Sequence, residues 1–131
     1  METVRTIIRR YPNLESLSWD AAAYIMKTVA ECVRTGRIAS MVLAGGTTPR
    51  LLYETLAKEP FRRSLPWSRV HVFWGDERFV PPDDHSSNYR MAKEALLDAV
   101  PVPRENIHSV PTLMETPEAA ADAYEQELRA L

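Results

Sequence analysis

The chain has 131 residues, of which 45% are hydrophobic, and this is enough to form one globular domain with a buried core. Its formal net charge of -2 comes without a basic block or stripe, so we expect no nucleic-acid partner. No apolar stretch is long enough to cross a bilayer and the N-terminus lacks the features of a signal peptide, so we expect no membrane partner and a cytoplasmic location.

The first part of the chain alternates between strand and helix patterns. Residues 3–10 are rich in β-branched side chains, which predicts a short first strand. Residues 18–34 carry apolar side chains at helical spacing, and we predict a helix there with Ser18 as N-cap and Gly36 as its stop. Residues 38–43 contain few polar side chains, which predicts a strand covered on both faces in a parallel sheet.

A second helix should follow this strand, with Thr48 as its N-cap and Pro49 in its first turn. The next strand is predicted over residues 70–74, because the apolar run there ends before prolines and aspartates that prevent a regular continuation. A helix that joins two strands in this way is typical of parallel neighbours in one sheet.

The remaining elements continue the alternation. Ser86 or Ser87 can cap a third helix, and residues 107–110 are predicted to form a short strand. A last helix should begin at Pro117. This repeated order predicts a single α/β domain over residues 1–131, with a mostly parallel sheet flanked by helices.

Two strand-end loops carry the candidate chemistry, and the first contains Gly45 and Gly46. Two glycines let the backbone turn without Cβ clashes, and the helix that follows directs free N–H groups toward the loop. Thr47 adds a hydroxyl donor, so the loop suits a phosphate; the alternative is a tight turn without a ligand, which is the commoner role of such a pair. The spacing matches neither nucleotide-binding glycine motif, so a nucleotide is not indicated.

The second loop follows the strand predicted over residues 70–74. Ligands of open α/β sheets bind beyond the carboxyl ends of the strands, where Asp76, Glu77 and Arg78 are expected. In extended geometry Asp76 and Arg78 point to one side and Glu77 to the other. Arg78 could hold a phosphate with paired donors, and Asp76 could accept hydrogen bonds from sugar hydroxyls or take a proton. The alternative is a mutual salt bridge between Asp76 and Arg78 on the surface.

The three histidines, His71, His85 and His108, lack the spacing of a metal site. His71 and His108 fall in predicted strands, where packing roles are expected, and His85 lies in an acidic loop from which it could approach a ligand. No set of serine, histidine and aspartate of the hydrolase type can be assembled from the sequence.

Three segments of the sequence together resemble one family. They are LAGGTTPRLLYETLA, VFWGDERFVPPDDHSSNYRMAKEALL and VPRENIHSVPT, and they are similar to 6-phosphogluconolactonases, within the larger group that includes glucosamine-6-phosphate isomerases. The resemblance covers residues 38–131 well and the preceding strand and helix more loosely. The isomerase, or deaminase, branch typically has MDEY where this chain has Gly75-Asp76-Glu77-Arg78, so the resemblance favours the lactonase branch.

The resemblance implies a Rossmann-like fold, of which this chain covers the N-terminal half. It also implies hydrolysis of 6-phospho-D-glucono-1,5-lactone to 6-phosphogluconate in the pentose phosphate pathway, with no metal or organic cofactor. By resemblance, Gly45, Gly46 and Thr47 line the phosphosugar site. Arg78 then meets the phosphate, and Asp76 orients the sugar or the catalytic group.

The chain departs from the family in one respect. By resemblance, the histidine that activates water belongs to a GxDGHT-like motif in the second half of a protein usually about twice as long, and this sequence reaches Leu131 without it. We therefore expect the chain to supply one wall of the site, beside the strand over residues 38–43. In order of preference, we expect the chain to be a fragment of a longer enzyme, to be completed by a second chain, or to be a noncatalytic relic.

Two alternative functions remain open. One is a noncatalytic phosphosugar-binding or interaction module, which turnover of the lactone would distinguish from an enzyme. The other is a glucosamine-6-phosphate isomerase or deaminase, in which Asp76 would move a proton at C2 of the sugar; the absence of MDEY argues against it.

Overall fold

The computed structural model describes residues 2–131 and shows a small parallel sheet surrounded by helices. The elements in chain order are α1 (Leu14–Arg34), β1 (Ala39–Leu43), α2 (Thr47–Leu56), α3 (Phe61–Ser64), β2 (Val70–Trp74), α4 (Asn88–Ala92) and α5 (Pro117–Arg129). A π-helical turn, Lys93–Leu97, continues α4, and 3-10 turns lie at Trp67–Arg69 and Arg104–Asn106. The predicted α/β class is confirmed.

Helix α1 begins earlier than predicted, because its N-cap is Asn13 and not Ser18. The Asn13 side chain accepts a hydrogen bond of 2.8 Å from the Ser16 N–H, and Ser18 lies inside the helix and is only 2% exposed. Either residue type can cap a helix, so the sequence pattern alone could not select between them. At the other end, Gly36 has φ of 78° and donates its N–H to the Val33 carbonyl at 2.9 Å, which confirms the predicted stop.

Strands β1 and β2 run parallel and side by side. Beyond β2, the chain joins the sheet only at a single parallel bridge between Val72 and Ile107, next to which the His108 N–H donates to the Val72 carbonyl at 2.8 Å. The strand predicted over residues 107–110 is therefore wrong in extent. The chain turns away soon afterwards, with a Thr112 N–H to Val110 carbonyl bond of 2.9 Å, and a turn cannot continue a ladder.

The strand predicted over residues 3–10 is wrong. These residues are exposed and form no part of the sheet; the segment lies along α1, where Arg9 approaches Asp20 at 3.9 Å and the Tyr11 hydroxyl donates to the same carboxylate. β-Branched composition produces a strand only where a neighbouring strand satisfies the backbone groups, and among residues 2–131 no strand does so here.

The sheet buries one face and leaves part of the other open. The side chains on the buried face are Ala39, Met41, Leu43, Val70, Val72 and Trp74. On the opposite face, β2 is covered by the His108 ring, which stacks on Phe73 at 4.6 Å, whereas Val42 of β1 is 67% exposed. The prediction that β1 is covered on both faces is therefore wrong within this chain, because an apolar sequence does not specify what packs against it.

The last two α-helices begin as predicted. The Ser87 hydroxyl accepts the Arg90 N–H at 3.1 Å and caps α4, and the Thr116 hydroxyl accepts the Ala119 N–H at 3.1 Å and caps α5, with Pro117 in the first turn. Ser87 is one of the two caps predicted for α4, and α5 begins at Pro117 as predicted.

Helix α5 is fastened to the sheet by Tyr124. The Tyr124 hydroxyl accepts the Trp74 N–H at 2.9 Å and donates to the His108 carbonyl at 2.9 Å. Burial raises the pKa of Tyr124, so the phenol remains protonated and keeps both bonds at neutral pH. This attachment places the helix beside the end of β2, where the second candidate loop begins.

Candidate functional site

The glycine loop joins the end of β1 to the start of α2. The Tyr53 hydroxyl accepts the Ala44 N–H at 2.8 Å and donates to the Ala44 carbonyl at 2.9 Å, and burial raises the pKa of Tyr53. Gly46, with φ of 100°, is the N-cap of α2 in place of the predicted Thr48. Glycine adopts this left-handed conformation without steric cost, and threonine does not. The glycine turn therefore determines where α2 begins.

The start of α2 is open to an anion. No side chain among residues 2–131 caps it, and its first turn contains no acidic residue. The free N–H groups at a helix N-terminus carry partial positive charge and suit a phosphate or an oxyanion. That Gly45, Gly46 and Thr47 contact a phosphate stays a prediction, and this open helix start is the feature that supports it.

The loop after β2 gives its central carboxylate a structural role. Glu77 Oε1 accepts the Asn88 N–H at 2.8 Å and the Arg78 N–H at 2.8 Å, and its Oε2 accepts the Tyr89 N–H at 2.9 Å. Glu77 therefore holds its own loop against the start of α4, a role that was not predicted from the sequence. Asp76 and Arg78 remain as the exposed charges of the loop.

Replacement of Glu77 by glutamine should lower the free energy of unfolding by about 1–3 kcal/mol, because an amide cannot accept at both ends and charged acceptors form the stronger hydrogen bonds. A urea titration followed by tryptophan fluorescence measures the loss. Glu94→Gln is the matched control, since Glu94 forms only an exposed pair with Arg90 at 2.8 Å, and exposed pairs contribute little to stability. Equal losses in the two variants would show that Glu77 is an ordinary surface carboxylate.

One amide side chain connects the two loops. Asn88 Nδ2 lies 3.3 Å from the Asp76 carbonyl oxygen and 3.4 Å from Asp76 Oδ1. The same amide lies so close to Gly45 that a Cβ added there would overlap Asn88 Oδ1 and lie 2.8 Å from its Cγ. The structure thus brings Asp76 next to the glycine loop. Asn88 was not predicted as a site residue, since its proximity to Gly45 arises only in the folded chain.

Arg78 lies on the α5 side of its loop. It lines a pocket of about 330 Å³ together with Asp76, Tyr124 and Leu128, and the glycine loop does not contribute to this pocket. Arg78 takes part in none of the ion pairs formed among residues 2–131, so the alternative of a salt bridge with Asp76 is not realised. Its guanidinium is therefore available to an anion.

The histidines lie away from the two loops or in solvent. His71 Nδ1 lies 2.9 Å from His108 Nε2, and His108 Nδ1 lies 2.7 Å from Glu127 Oε1, so these rings link the sheet to α5. His85 is 91% exposed and lies 3.5 Å from Asp84 Oδ1. Packing, as predicted, is the role of His71 and His108, and neither loop contacts His85 by a hydrogen bond among residues 2–131.

His71 should make the folded chain sensitive to acid. Burial, and secondly the charge of His108, lowers the pKa of His71. Below the unfolded pKa of about 6.5 the unfolded chain binds more protons, so stabilisation that is complete above this pH is lost as the pH falls toward the folded pKa. On α5, Glu127 and Tyr124 are the titratable groups that face the pair.

His71→Asn should therefore flatten the decrease in stability between about pH 7 and about pH 5. Denaturant unfolding at a series of pH values measures how the free energy of unfolding changes with pH. His85→Asn is the control, because the His85 ring is exposed and does not contact the sheet. An unchanged slope in His71→Asn would show that protonation of His71 does not contribute to acid unfolding.

The donors that the two loops present are backbone N–H groups, hydroxyls and a guanidinium, which suit an oxyanion. No three metal-ligating side chains of residues 2–131 come together in a way that could hold an ion. Over the same residues, every helix is too short or too polar to cross a lipid bilayer.

Comparison with known proteins identifies the family. Residues 12–131 match the family described as glucosamine-6-phosphate isomerases/6-phosphogluconolactonase. The chain belongs to this family. Within it, a protein of Synechocystis sp. named 6-phosphogluconolactonase is 51% identical over 116 residues, which cover 88% of this chain and 47% of that protein.

Solved structures of the family share the fold. The crystal structure of 6-phosphogluconolactonase from Thermotoga maritima superposes with a TM-score of 0.72 at 37% identity, covering 86% of this chain and 50% of that one. A monomeric glucosamine-6-phosphate deaminase superposes with a TM-score of 0.78 at 22% identity, covering 90% of this chain and 48% of the deaminase. At this identity the superposition shows only that the two chains share a fold. The Rossmann-like architecture is therefore confirmed, and both branches of the family possess it.

The chain spans about half the length of these relatives, 47% of the Synechocystis protein and 50% of the Thermotoga chain. Within residues 2–131, β1 pairs only with β2, so its other edge has no neighbouring strand. An apolar pocket of about 360 Å³, lined by Leu43, Ala44, Leu52 and Tyr53 among others, lies beside this part of the sheet. The predicted incompleteness of the fold relative to the family is confirmed.

Proposed function

We propose that this chain forms the phosphosugar-binding part of a 6-phosphogluconolactonase, which hydrolyses 6-phospho-D-glucono-1,5-lactone to 6-phosphogluconate. The observation that carries the proposal is the junction at the carboxyl ends of β1 and β2, where Asn88 holds Asp76 beside the glycine loop and the open start of α2. Family membership and the similarity to the named Synechocystis protein support it. We place the reaction in the pentose phosphate pathway and in the cytoplasm.

We assign each residue of this wall a separate role. The backbone N–H groups at Gly45, Gly46 and Thr47 lie at the positive end of the α2 dipole and line the phosphosugar site. Arg78 supplies paired, charged donors to the phosphate. Asp76 accepts hydrogen bonds from sugar hydroxyls and orients the ring, because its carboxylate is exposed beside the loop.

The reaction requires a base that we assign to a part of the family domain outside this chain. Water adds to the lactone carbonyl carbon, the ring C–O bond breaks, and the released oxygen takes a proton. The base that deprotonates the water must lie within hydrogen-bond distance of it. His71 is hydrogen-bonded to His108, His108 is hydrogen-bonded to Glu127 on α5, and His85 projects into solvent.

A noncatalytic phosphosugar-binding module is the second candidate. It is favoured by the positions of the three histidines, none of which is hydrogen-bonded to the glycine loop or to residues 76–78. Both candidates predict binding of the sugar phosphate, and only the enzyme predicts turnover once the remaining part of the domain is present.

A heteronuclear NMR titration of the isotope-labelled chain with 6-phosphogluconate tests the binding role. We expect the amide signals of Gly45, Gly46 and Thr47 and the side-chain Nε signal of Arg78 to move in a saturable way. Gluconate is the control, because it has the same carbon chain and no phosphate, and we expect it to cause much smaller changes. Equal changes with both compounds, or changes spread over unrelated surfaces, would contradict the proposal.

A further inference from the structure

We infer that Asn88 is a positioning residue that sets the spacing between the glycine loop and Asp76, and this inference rests on the proposed phosphosugar site. Asn88 is the first residue of α4 and is only 7% exposed. Its side chain reaches from α4 to both strand-end loops. A ligand held jointly by the two loops would therefore bind in a geometry that this amide determines.

The contacts of Asn88 divide between the two loops. On one side, Nδ2 donates to the Asp76 carbonyl at 3.3 Å and to Asp76 Oδ1 at 3.4 Å. On the other side, the amide lies against Gly45, where an added Cβ would be 2.8 Å from Asn88 Cγ and 3.1 Å from Nδ2. The bonds to Asp76 orient its carboxylate. The position of the amide leaves no room for a side chain at position 45.

The need for glycine at position 45 arises from this approach and not from the backbone. The glycines with positive φ in the described chain are Gly36 and Gly46, so Gly45 has a conformation open to other residues. The three heavy atoms nearest to the Cβ that an alanine would add all belong to the Asn88 amide. The fit between Gly45 and Asn88 is therefore a steric pair whose members can be changed together.

The start of α4 does not require the Asn88 side chain. The Ser87 hydroxyl accepts the Arg90 N–H, and the Glu77 carboxylate accepts the backbone N–H groups of Asn88 and Tyr89. These acceptors satisfy the first turn of the helix. Removal of the amide should therefore leave α4 in place and change only how the two loops are held.

Two variants of Asn88 test the ligand-directed role. Asn88→Ala removes the amide, and Asn88→Asp keeps its shape but replaces the Nδ2 donor with an oxygen facing Asp76. We expect each variant to weaken binding of 6-phosphogluconate about tenfold, the scale of a lost hydrogen bond. The helical circular dichroism and the α4 amide signals should remain those of the wild type. Wild-type affinity in either variant would overturn the inference.

A double-mutant cycle tests the coupling without any ligand. Gly45→Ala should lower Tm by about 5 °C or more in the wild-type background, because a Cβ is forced into the amide. The same change should have little effect in the Asn88→Ala background, where the obstructing atoms are gone. Equal effects in both backgrounds would overturn the inference. If the cycle shows coupling and the wild type binds no 6-phosphogluconate, the proposed function fails while the spacing role of Asn88 stands.

Discussion

Replacement of Arg78 by alanine should weaken binding of 6-phosphogluconate by about 1.5–3 kcal/mol, which is roughly a 10–150-fold rise in Kd. The guanidinium is exposed and has no ion-pair partner among residues 2–131, so its charge is free for the ligand phosphate. Removal of the side chain leaves no carboxylate of the protein unpaired. The loss should therefore appear in binding and not in the free energy of unfolding.

Titration calorimetry with 6-phosphogluconate measures this effect. Arg78→Lys keeps the charge but loses the paired donors, so its affinity should fall between those of the wild type and Arg78→Ala. Arg104→Ala is the matched control, because Arg104 is an exposed arginine in a 3-10 turn that lines neither loop. Unchanged affinity in Arg78→Ala, or equal losses in Arg78→Ala and Arg104→Ala, would show that Arg78 does not bind the phosphate.

The purified 131-residue chain should associate with itself through the open edge of β1. The Leu43 carbonyl accepts the Gly75 N–H at 3.1 Å, so Leu43 directs its backbone groups toward β2. Because backbone groups alternate along a strand, Ser40 and Val42 direct theirs to the edge that has no neighbour in residues 2–131. Exposed edges of this kind pair with a second chain, and the exposed Val42 side chain adds an apolar surface.

Light scattering after size exclusion measures the association, and we expect a dimer or larger species for the wild type. Val42→Lys should shift the protein to a monomer, because a charge on an edge strand opposes pairing. Ile8→Lys makes the same change of charge at an exposed site outside the sheet and should behave like the wild type. A monomeric wild type, or an equal shift in both variants, would show that the β1 edge does not drive association.

Local sequence signals predicted the elements that local interactions determine. The strand over residues 70–74 has the predicted bounds, since an apolar run and the loop after it are both visible in the sequence. The start of α4 after Ser87, the start of α5 at Pro117 and the stop of α1 at Gly36 likewise depend on residues a few positions apart, whereas the N-caps predicted for α1 and α2 were wrong. Segments 3–10 and 107–110 failed as strands because a strand needs a partner, which a local pattern does not supply.

The candidate site could be located from the sequence but not assembled from it. The two strand-end loops were predicted, because glycines and charges directly follow apolar runs. The contact between Gly45 and Asn88 joins distant parts of the chain, and the capping of α4 by Glu77 depends on how the loop after β2 folds back. Such contacts depend on tertiary packing, and no spacing in the sequence encodes them.

Lactone turnover, with the spontaneous hydrolysis subtracted, tests most directly whether this chain supplies the binding wall and lacks the base. The purified chain alone should show negligible activity. Addition of the part of the Synechocystis relative that the chain does not match should raise the rate by about 100–10,000-fold, the contribution of general acid–base catalysis. Clear turnover by the chain alone, abolished by His85→Ala, would contradict this assignment and make His85 the base.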